Sequence, residues 1–94
     1  MKNCVYIIHS VELDKFNIGE TSDFEKRFEE HKTGFYKTSF TSKTQDWVLF
    51  FMIECESKVQ AIKIEKHIKN MKSKKYICNL KKHPEISRKL IEKY

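Results

Sequence analysis

Short hydrophobic blocks separated by polar segments predict a sheet of three strands. β-Branched and aromatic residues fill residues 3–10, and a second such block at 16–21 follows a short polar link, which is typical of a β-hairpin. Residues 47–55 are the most hydrophobic block of the chain and predict the third strand. The sheet is therefore expected to contain one hairpin and one further strand.

The first helix is predicted between the second and third strands. Ser22 followed three residues later by Glu25 matches a capping box, in which each side chain accepts a hydrogen bond from the other residue's amide. Phe24 and Phe28 lie one turn apart and are expected to stack on the inner face of the helix. Gly34 suits the left-handed position that follows a helix, so the helix should end near it.

Three more helices are predicted after the third strand. Ser57 and Ser73 each precede helically spaced apolar residues and predict helices that end near residues 71 and 80. Pro84 suits a first helical position and predicts a last helix that reaches residue 94. The predicted order is β-β-α-β-α-α-α. Because helices must cover the sheet to bury its faces, we predict an α+β sandwich with an antiparallel or mixed sheet.

The composition excludes several classes of protein. The length of 94 residues allows a single domain over 1–94. Seven phenylalanines, four tyrosines and one tryptophan argue against a disordered chain. No apolar run approaches the ~18–20 residues of a membrane span, and the N-terminus lacks a signal-peptide cleavage site. Cys4, Cys55 and Cys78 are widely spaced and odd in number, which favours free thiols in a reducing cytoplasm over disulfides or a zinc site.

Positive charge is concentrated in the second half of the chain, whose net charge as a whole is +6. Residues 58–82 hold nine lysines and a single acid, Glu65. Residues 35–46 form a long predicted loop that contains Lys37 and Lys43, and long loops in small domains are often functional. This distribution favours a phosphate-bearing partner such as DNA. A solvated lysine face without a binding role is the alternative.

One acid stands among the apolar positions of the second long helix. That apolar arc is predicted to consist of Ala61, Ile62, Ile64, Ile68 and Met71. At about 100° per residue, Glu65 falls between Ala61 and Ile62. A buried carboxylate needs a partner or a metal ion, because burying it unpaired is costly. Glu65 is therefore a candidate metal ligand, or it lies at the edge of the arc and pairs with Lys69, which is four residues away.

The first helix carries a second candidate pair. Arg27 and His31 are four residues apart and flank the face that holds Phe24 and Phe28, so they can address one site. The arginine fork suits a phosphate oxygen, and histidine donates hydrogen bonds and transfers protons near neutral pH. The alternative is a surface arginine beside a histidine at the edge of the core.

These features, taken in order, resemble the GIY-YIG endonuclease family. Cys4-Val5-Tyr6 corresponds to the first half of the motif and Asn17-Ile18-Gly19 to the second, with ten residues between Tyr6 and Asn17 as is typical of the family. The resemblance covers about residues 3–80 and is greatest to small single-domain members related to the N-terminal nuclease domain of the excision-repair endonuclease, excinuclease ABC. The family's helical arginine, the residue one turn later and its metal-binding glutamate correspond to Arg27, His31 and Glu65.

The resemblance implies a fold and a chemistry. The implied fold is a three-stranded antiparallel sheet flanked by helices. Glu65 would bind one divalent cation, Mg²⁺ or Mn²⁺, and Arg27 would stabilise the charge that develops on the phosphate. Tyr6 would activate or position the attacking water, with His31 orienting one of them. The lysines expected to contact DNA are Lys37, Lys43, Lys69, Lys72, Lys74 and Lys75.

Two positions depart from the family motif. Cys4 replaces the first glycine, and Asn17 replaces the second tyrosine. Asparagine can position a water but cannot act as a base. The predicted function is a metal-dependent endonuclease that nicks DNA or cuts branched DNA, with specificity supplied by a partner protein or by DNA shape. A catalytically weak or inactive nucleic-acid-binding module and a protein-interaction domain are the alternatives.

Overall fold

The computed structural model describes residues 3–32 and 46–94, except for the side chains of residues 31 and 32. It confirms the order β-β-α-β-α-α-α. The elements are β1 (Cys4–Ser10), β2 (Lys15–Thr21), α1 (Phe24–Lys32), β3 (Val48–Glu54), α2 (Lys58–Met71), α3 (Lys74–Lys82) and α4 (Pro84–Lys93). The strand order is β2-β1-β3 and both pairings are antiparallel, so the sheet is not mixed. Within the described part of the chain, no helix is long and apolar enough to span a membrane.

Strand β1 lies at the centre of the sheet and is buried on both faces. Alternation along the strand places Val5 and Ile7 on one face, and Tyr6 and Ile8 on the other. All four are at most 1% exposed. Because both faces are covered, β1 is a continuous apolar block in the sequence rather than an alternating one.

Helices α2, α3 and α4 cover the first face of the sheet. Its core combines Val5 and Ile7 with residues from all three helices, namely Ala61, Ile64, Ile68, Ile77, Leu80 and Leu90. Helix α1 covers the second face, where Tyr6, Ile8 and Trp47 pack against Leu13, Phe24 and Phe28. The sheet therefore separates α1 from α2, and with them the two groups of predicted site residues that these helices carry.

Helix α1 begins one residue later than the capping box predicts. The side chain of Asp23, not that of Ser22, accepts the capping hydrogen bond from the Lys26 amide at 3.2 Å. Thr21 in turn accepts the Asp23 amide through its Oγ1 at 3.0 Å. Aspartate caps a helix as well as serine does and adds a favourable charge at the N-terminal dipole, so it takes the position. The Phe24–Phe28 stack is confirmed, with ring centroids 5.3 Å apart.

The predicted starts of the later helices are confirmed. Ser57 Oγ accepts the Gln60 amide at 3.1 Å, and Ser73 Oγ accepts the Tyr76 amide at 3.1 Å. Pro84 is at the start of α4. The predicted loop at 35–46 and the end of α1 near Gly34 fall almost wholly outside the described residues.

The apolar arc of α2 differs from the predicted one. Ile62 and Met71 are 45% and 44% exposed, and a polar residue, Gln60, is buried instead. Its side-chain oxygen accepts the Glu56 amide at 2.6 Å, while its nitrogen donates to the Ile91 carbonyl at 2.9 Å. Both ends of the amide are satisfied, so its burial is not penalised. The hydrogen bond to Ile91 also fastens α4 to the beginning of α2.

The three cysteines are free thiols. Burial, followed by the neighbouring Cys55, Glu54 and Glu20, raises the pKa of the Cys4 thiol to about 11. Burial also raises the pKa of Cys55. Cys78 on α3 is only partly buried.

We predict that an alkylating reagent modifies Cys78 well before Cys4 and Cys55 in the native protein. At about pH 8, a thiol with a pKa near 11 is thiolate in only about one molecule in a thousand, and the thiolate is the reactive form. Mass spectrometry of peptides after timed labelling gives the order of modification. Denaturant should make all three cysteines react, and equal rates for Cys4 and Cys78 in the native state would contradict the burial described.

Candidate active site

A tyrosine side chain and a glycine on neighbouring strands form the centre of the site. Tyr6 on β1 stands opposite Gly19 on β2 and is 1% exposed. Its ring crosses β2 so closely that a Cβ on Gly19 would lie 2.5 Å from Cζ and overlap the hydroxyl oxygen. Real Cβ atoms do not approach other atoms so closely. Gly19 is therefore required by the tyrosine ring, and not by a special backbone conformation.

Helix α1 places an arginine on the hydroxyl of this tyrosine. The Nε–H of Arg27 donates to the Tyr6 hydroxyl at 3.4 Å. The Tyr6 ring also packs against Phe24, with centroids 5.7 Å apart, and this contact fixes the start of α1 over the sheet. The phenol and the guanidinium thus meet where β2 ends and α1 begins.

A crevice of about 320 Å³ opens next to Arg27. It is lined by Thr21, Ser22, Asp23, Lys26, Arg27 and Glu30. Lys26 was not among the predicted site residues, although it precedes Arg27 directly. Two cations and two hydroxyls in one crevice can hold a phosphate group, since they supply several hydrogen-bond donors.

Asn17 lies on the same face of the sheet as Tyr6. It stands opposite Ile8 in β2, two residues before Gly19, and is partly exposed. Residues that face each other across antiparallel strands project to the same side, so Asn17 is a diagonal neighbour of Tyr6. His31 belongs to α1, one turn after Arg27, but its side chain is outside the described part of the structure. Its predicted contact with Tyr6 stays a prediction.

Glu65 lies on the other side of the sheet from α1. Its side chain is 21% exposed and borders the buried arc of α2, which excludes Ile62. The Lys69 ammonium donates to Glu65 Oε1 at 2.9 Å, which is the predicted pairing four residues along the helix. Within the described residues, Glu65 makes no hydrogen bond or ion pair to Tyr6 or Arg27. A phosphate could address all three groups only around the free edge of β2.

The residues present fit a metal ion bound through substrate, and not a preformed metal cage. Among the described residues, no group of three histidine, cysteine or acidic side chains is arranged to hold a metal. Mg²⁺ is commonly held by one or two carboxylates together with waters and substrate phosphates. Glu65 provides one such oxygen ligand, with Oε1 shared with Lys69. The carboxylate is therefore compatible with a single Mg²⁺ or Mn²⁺ ion.

The predicted DNA-binding lysines differ in their surroundings. Lys74 donates to the Asp14 carbonyl at 3.1 Å and to its carboxylate at 3.3 Å. That hydrogen bond and the charge of Lys74 are the main causes of the lowered pKa of Asp14. Lys69 is paired with Glu65, whereas Lys72 and Lys75 are exposed. Lys37 and Lys43 fall outside the described residues.

We predict that Gly19→Ala destabilises the protein by about 1–3 kcal/mol, because the added methyl group forces the Tyr6 ring to move. Denaturant unfolding of the variant and of the wild type measures the difference. Asn17→Ala, on the same strand and face, serves as the control and should cost less.

A double-mutant cycle tests the stated cause of that destabilisation. Removing the ring with Tyr6→Ala should also remove most of the cost of Gly19→Ala, so that the two effects are far from additive. An unchanged cost of Gly19→Ala in the Tyr6→Ala background would show that the Tyr6 ring is not what excludes a side chain at position 19.

Comparison with known proteins agrees with this geometry. A family model described as the GIY-YIG catalytic domain matches residues 2–77, a range that contains the whole sheet, α1, α2 and the beginning of α3. No curated protein and no solved structure matches the chain. Because the family model covers most of the sequence, the chain belongs to the GIY-YIG family of nucleases.

Proposed function

We propose that this protein is a metal-dependent endonuclease that hydrolyses DNA phosphodiester bonds, by nicking one strand or cutting branched DNA. Membership of a nuclease family supports the reaction class. The hydrogen bond between Arg27 and the Tyr6 hydroxyl is the observation that carries the proposal. It joins a group able to transfer a proton to a group able to hold a phosphate, beside a crevice of suitable size.

Arg27 has two roles in the proposed reaction. Its guanidinium favours negative charge on the phenol oxygen it touches, which promotes transfer of the Tyr6 proton. With five N–H donors in a fixed fork, it can also hold a non-bridging phosphate oxygen. Charge builds on that oxygen in the transition state, so a preplaced cation lowers the barrier. Nucleases of this family generally use a divalent ion; Mg²⁺ or Mn²⁺ on Glu65 would neutralise the phosphate and the leaving oxygen.

Tyr6 and Asn17 divide the handling of the attacking water. The Tyr6 hydroxyl accepts the proton or orients the water, and Asn17 on the same sheet face positions the water through its side-chain amide. His31, one turn after Arg27, is proposed to orient Tyr6 or the water. Lys69, Lys72, Lys74 and Lys75 are proposed to hold the DNA backbone, with Lys37 and Lys43 on the segment between α1 and β3.

Asn17 favours a second candidate function. If the reaction requires a tyrosine at this position, the domain binds nucleic acid through the same basic surface but does not cut it. DNA is the proposed partner in both cases, so a cleavage assay and a binding assay together separate the two functions. Binding that weakens steeply with salt, without any cleavage, identifies the second.

We predict that Glu65→Gln lowers nicking of supercoiled DNA in Mg²⁺ or Mn²⁺ by at least about 100-fold, because the metal ion loses a charged ligand. Gel electrophoresis of plasmid topoisomers measures the rate. The matched control is Lys69→Met, which breaks the same ion pair but leaves the carboxylate; it should stay within about fivefold of wild type. Equal losses in both variants would show that Glu65 acts through its ion pair and not as a metal ligand.

We predict that Tyr6→Phe lowers nicking by about 10²–10⁴-fold, because the phenol oxygen takes part in proton transfer. Asn17→Ala should cost about tenfold or less, since another donor or solvent can orient the water. Affinity for DNA, measured by fluorescence anisotropy, should be unchanged in both variants. A large loss from Asn17→Ala together with an active Tyr6→Phe would reverse the two roles.

A further inference from the structure

A basic cavity of about 430 Å³ lies beside α2 on the side of the sheet opposite to Arg27. Its lining residues are Lys63, Lys66, His67, Asn70, Met71 and Tyr94. None of them is acidic, and two of them are exposed lysines. In the described part of the chain, Lys63 and Lys66 form no ion pair. The volume falls in the range of small-molecule and group-binding sites.

The wall of the cavity is held by a histidine between two tyrosines. His67 Nδ1 and the Tyr94 hydroxyl are 3.1 Å apart, and Nε2 and the Tyr76 hydroxyl are 3.2 Å apart. In either tautomer one ring nitrogen donates and the other accepts, so both contacts are satisfied. These contacts join α2, α3 and the end of α4. The cavity therefore has a fixed wall, against which the lysines stand.

The donors on α2 follow one stripe of the helix. Lys63, Lys66 and Asn70 are spaced at i, i+3 and i+7, so they share a face and span about 10 Å of helix axis. Glu65 lies about 100–160° around the helix from each of them. The lysines of α2 thus belong to two surfaces. One surrounds Glu65, and the other, which we call the α2 stripe, consists of Lys63, Lys66 and Asn70.

We infer that the α2 stripe is a second phosphate-binding surface, which holds the backbone of duplex DNA away from the bond that is cut. The inference rests on the proposed function, in which DNA is the substrate. Two exposed ammonium groups and an amide match phosphate oxygens in charge and in hydrogen-bonding chemistry. Phosphates along one strand recur about every 3.4 Å of duplex axis, so the stripe can face about three of them.

The surface is expected to give affinity without sequence preference. Lysine is a flexible point charge, and contacts to phosphates position a protein on DNA but do not read bases. An acidic protein partner would meet the same charges, and a binding experiment in which DNA is the only other macromolecule distinguishes the two.

The test measures binding of the full chain to a labelled duplex of about 20 base pairs, in chelator, over about 50–200 mM salt. The variant is Lys63→Gln with Lys66→Gln. Its slope of log affinity against log salt should be shallower than that of wild type by about 1.8, because each lost phosphate contact removes about 0.9. The matched control is Lys15→Gln with Lys82→Gln, which removes two exposed charges outside the cavity and should leave the slope unchanged.

Two further outcomes separate this inference from the proposed function. Wild-type protein that nicks DNA, together with an unchanged slope in the Lys63 and Lys66 variant, overturns the second surface alone. Equal changes of slope in the variant and the control overturn it as well, because the effect is then one of net charge. Wild-type protein that binds no DNA at any of these salt concentrations overturns both the inference and the proposed function. Circular dichroism of each variant verifies that the fold is retained.

Discussion

The close crossing of the Tyr6 ring over Gly19 is the constraint on which the rest of the structure depends. The ring can cross β2 only where a residue has no side chain, so this contact fixes the pairing of β1 with β2. The same ring packs on Phe24 and accepts the Arg27 Nε–H, and it thereby sets the position of α1 over the sheet. A glycine that the sequence shows only as a motif position thus acts as the socket of the proposed catalytic tyrosine.

The two-sided burial of β1 determines where a site can form. One face of the sheet is used by α1 and the other by α2, α3 and α4, so Arg27 and Glu65 are separated by a sheet whose centre is closed. Any phosphate that touches both must lie at the edge of β2, which has no neighbouring strand in the described sheet. The free edge and the partly exposed Asn17 on it are what leave room for a long, flexible substrate such as a DNA strand.

The sequence predicts the elements well because their causes are local. Ser57 and Ser73 cap the helices they were expected to cap, and the apolar blocks become the strands. The errors have non-local or degenerate causes. Ser22 and Asp23 are both good caps, and nothing in a single sequence decides between them. Gln60 is buried because its amide meets the Ile91 carbonyl, 31 residues away, a contact that helical periodicity cannot reveal.

The site follows the same division between local and distant causes. That Arg27 and Tyr6 meet follows from the resemblance, but the geometric need for Gly19 requires coordinates. Glu65 shows the limit of reasoning from periodicity, since the arc that was predicted to enclose it loses Ile62 to solvent, and Lys69 pairs with the carboxylate. The excess of lysine likewise gains meaning only from helical phase. Lysines around Glu65 and lysines along the α2 stripe point in different directions, so a single positive surface, which net charge alone implies, is in fact two. A duplex bound by both would be fixed in orientation as well as in place.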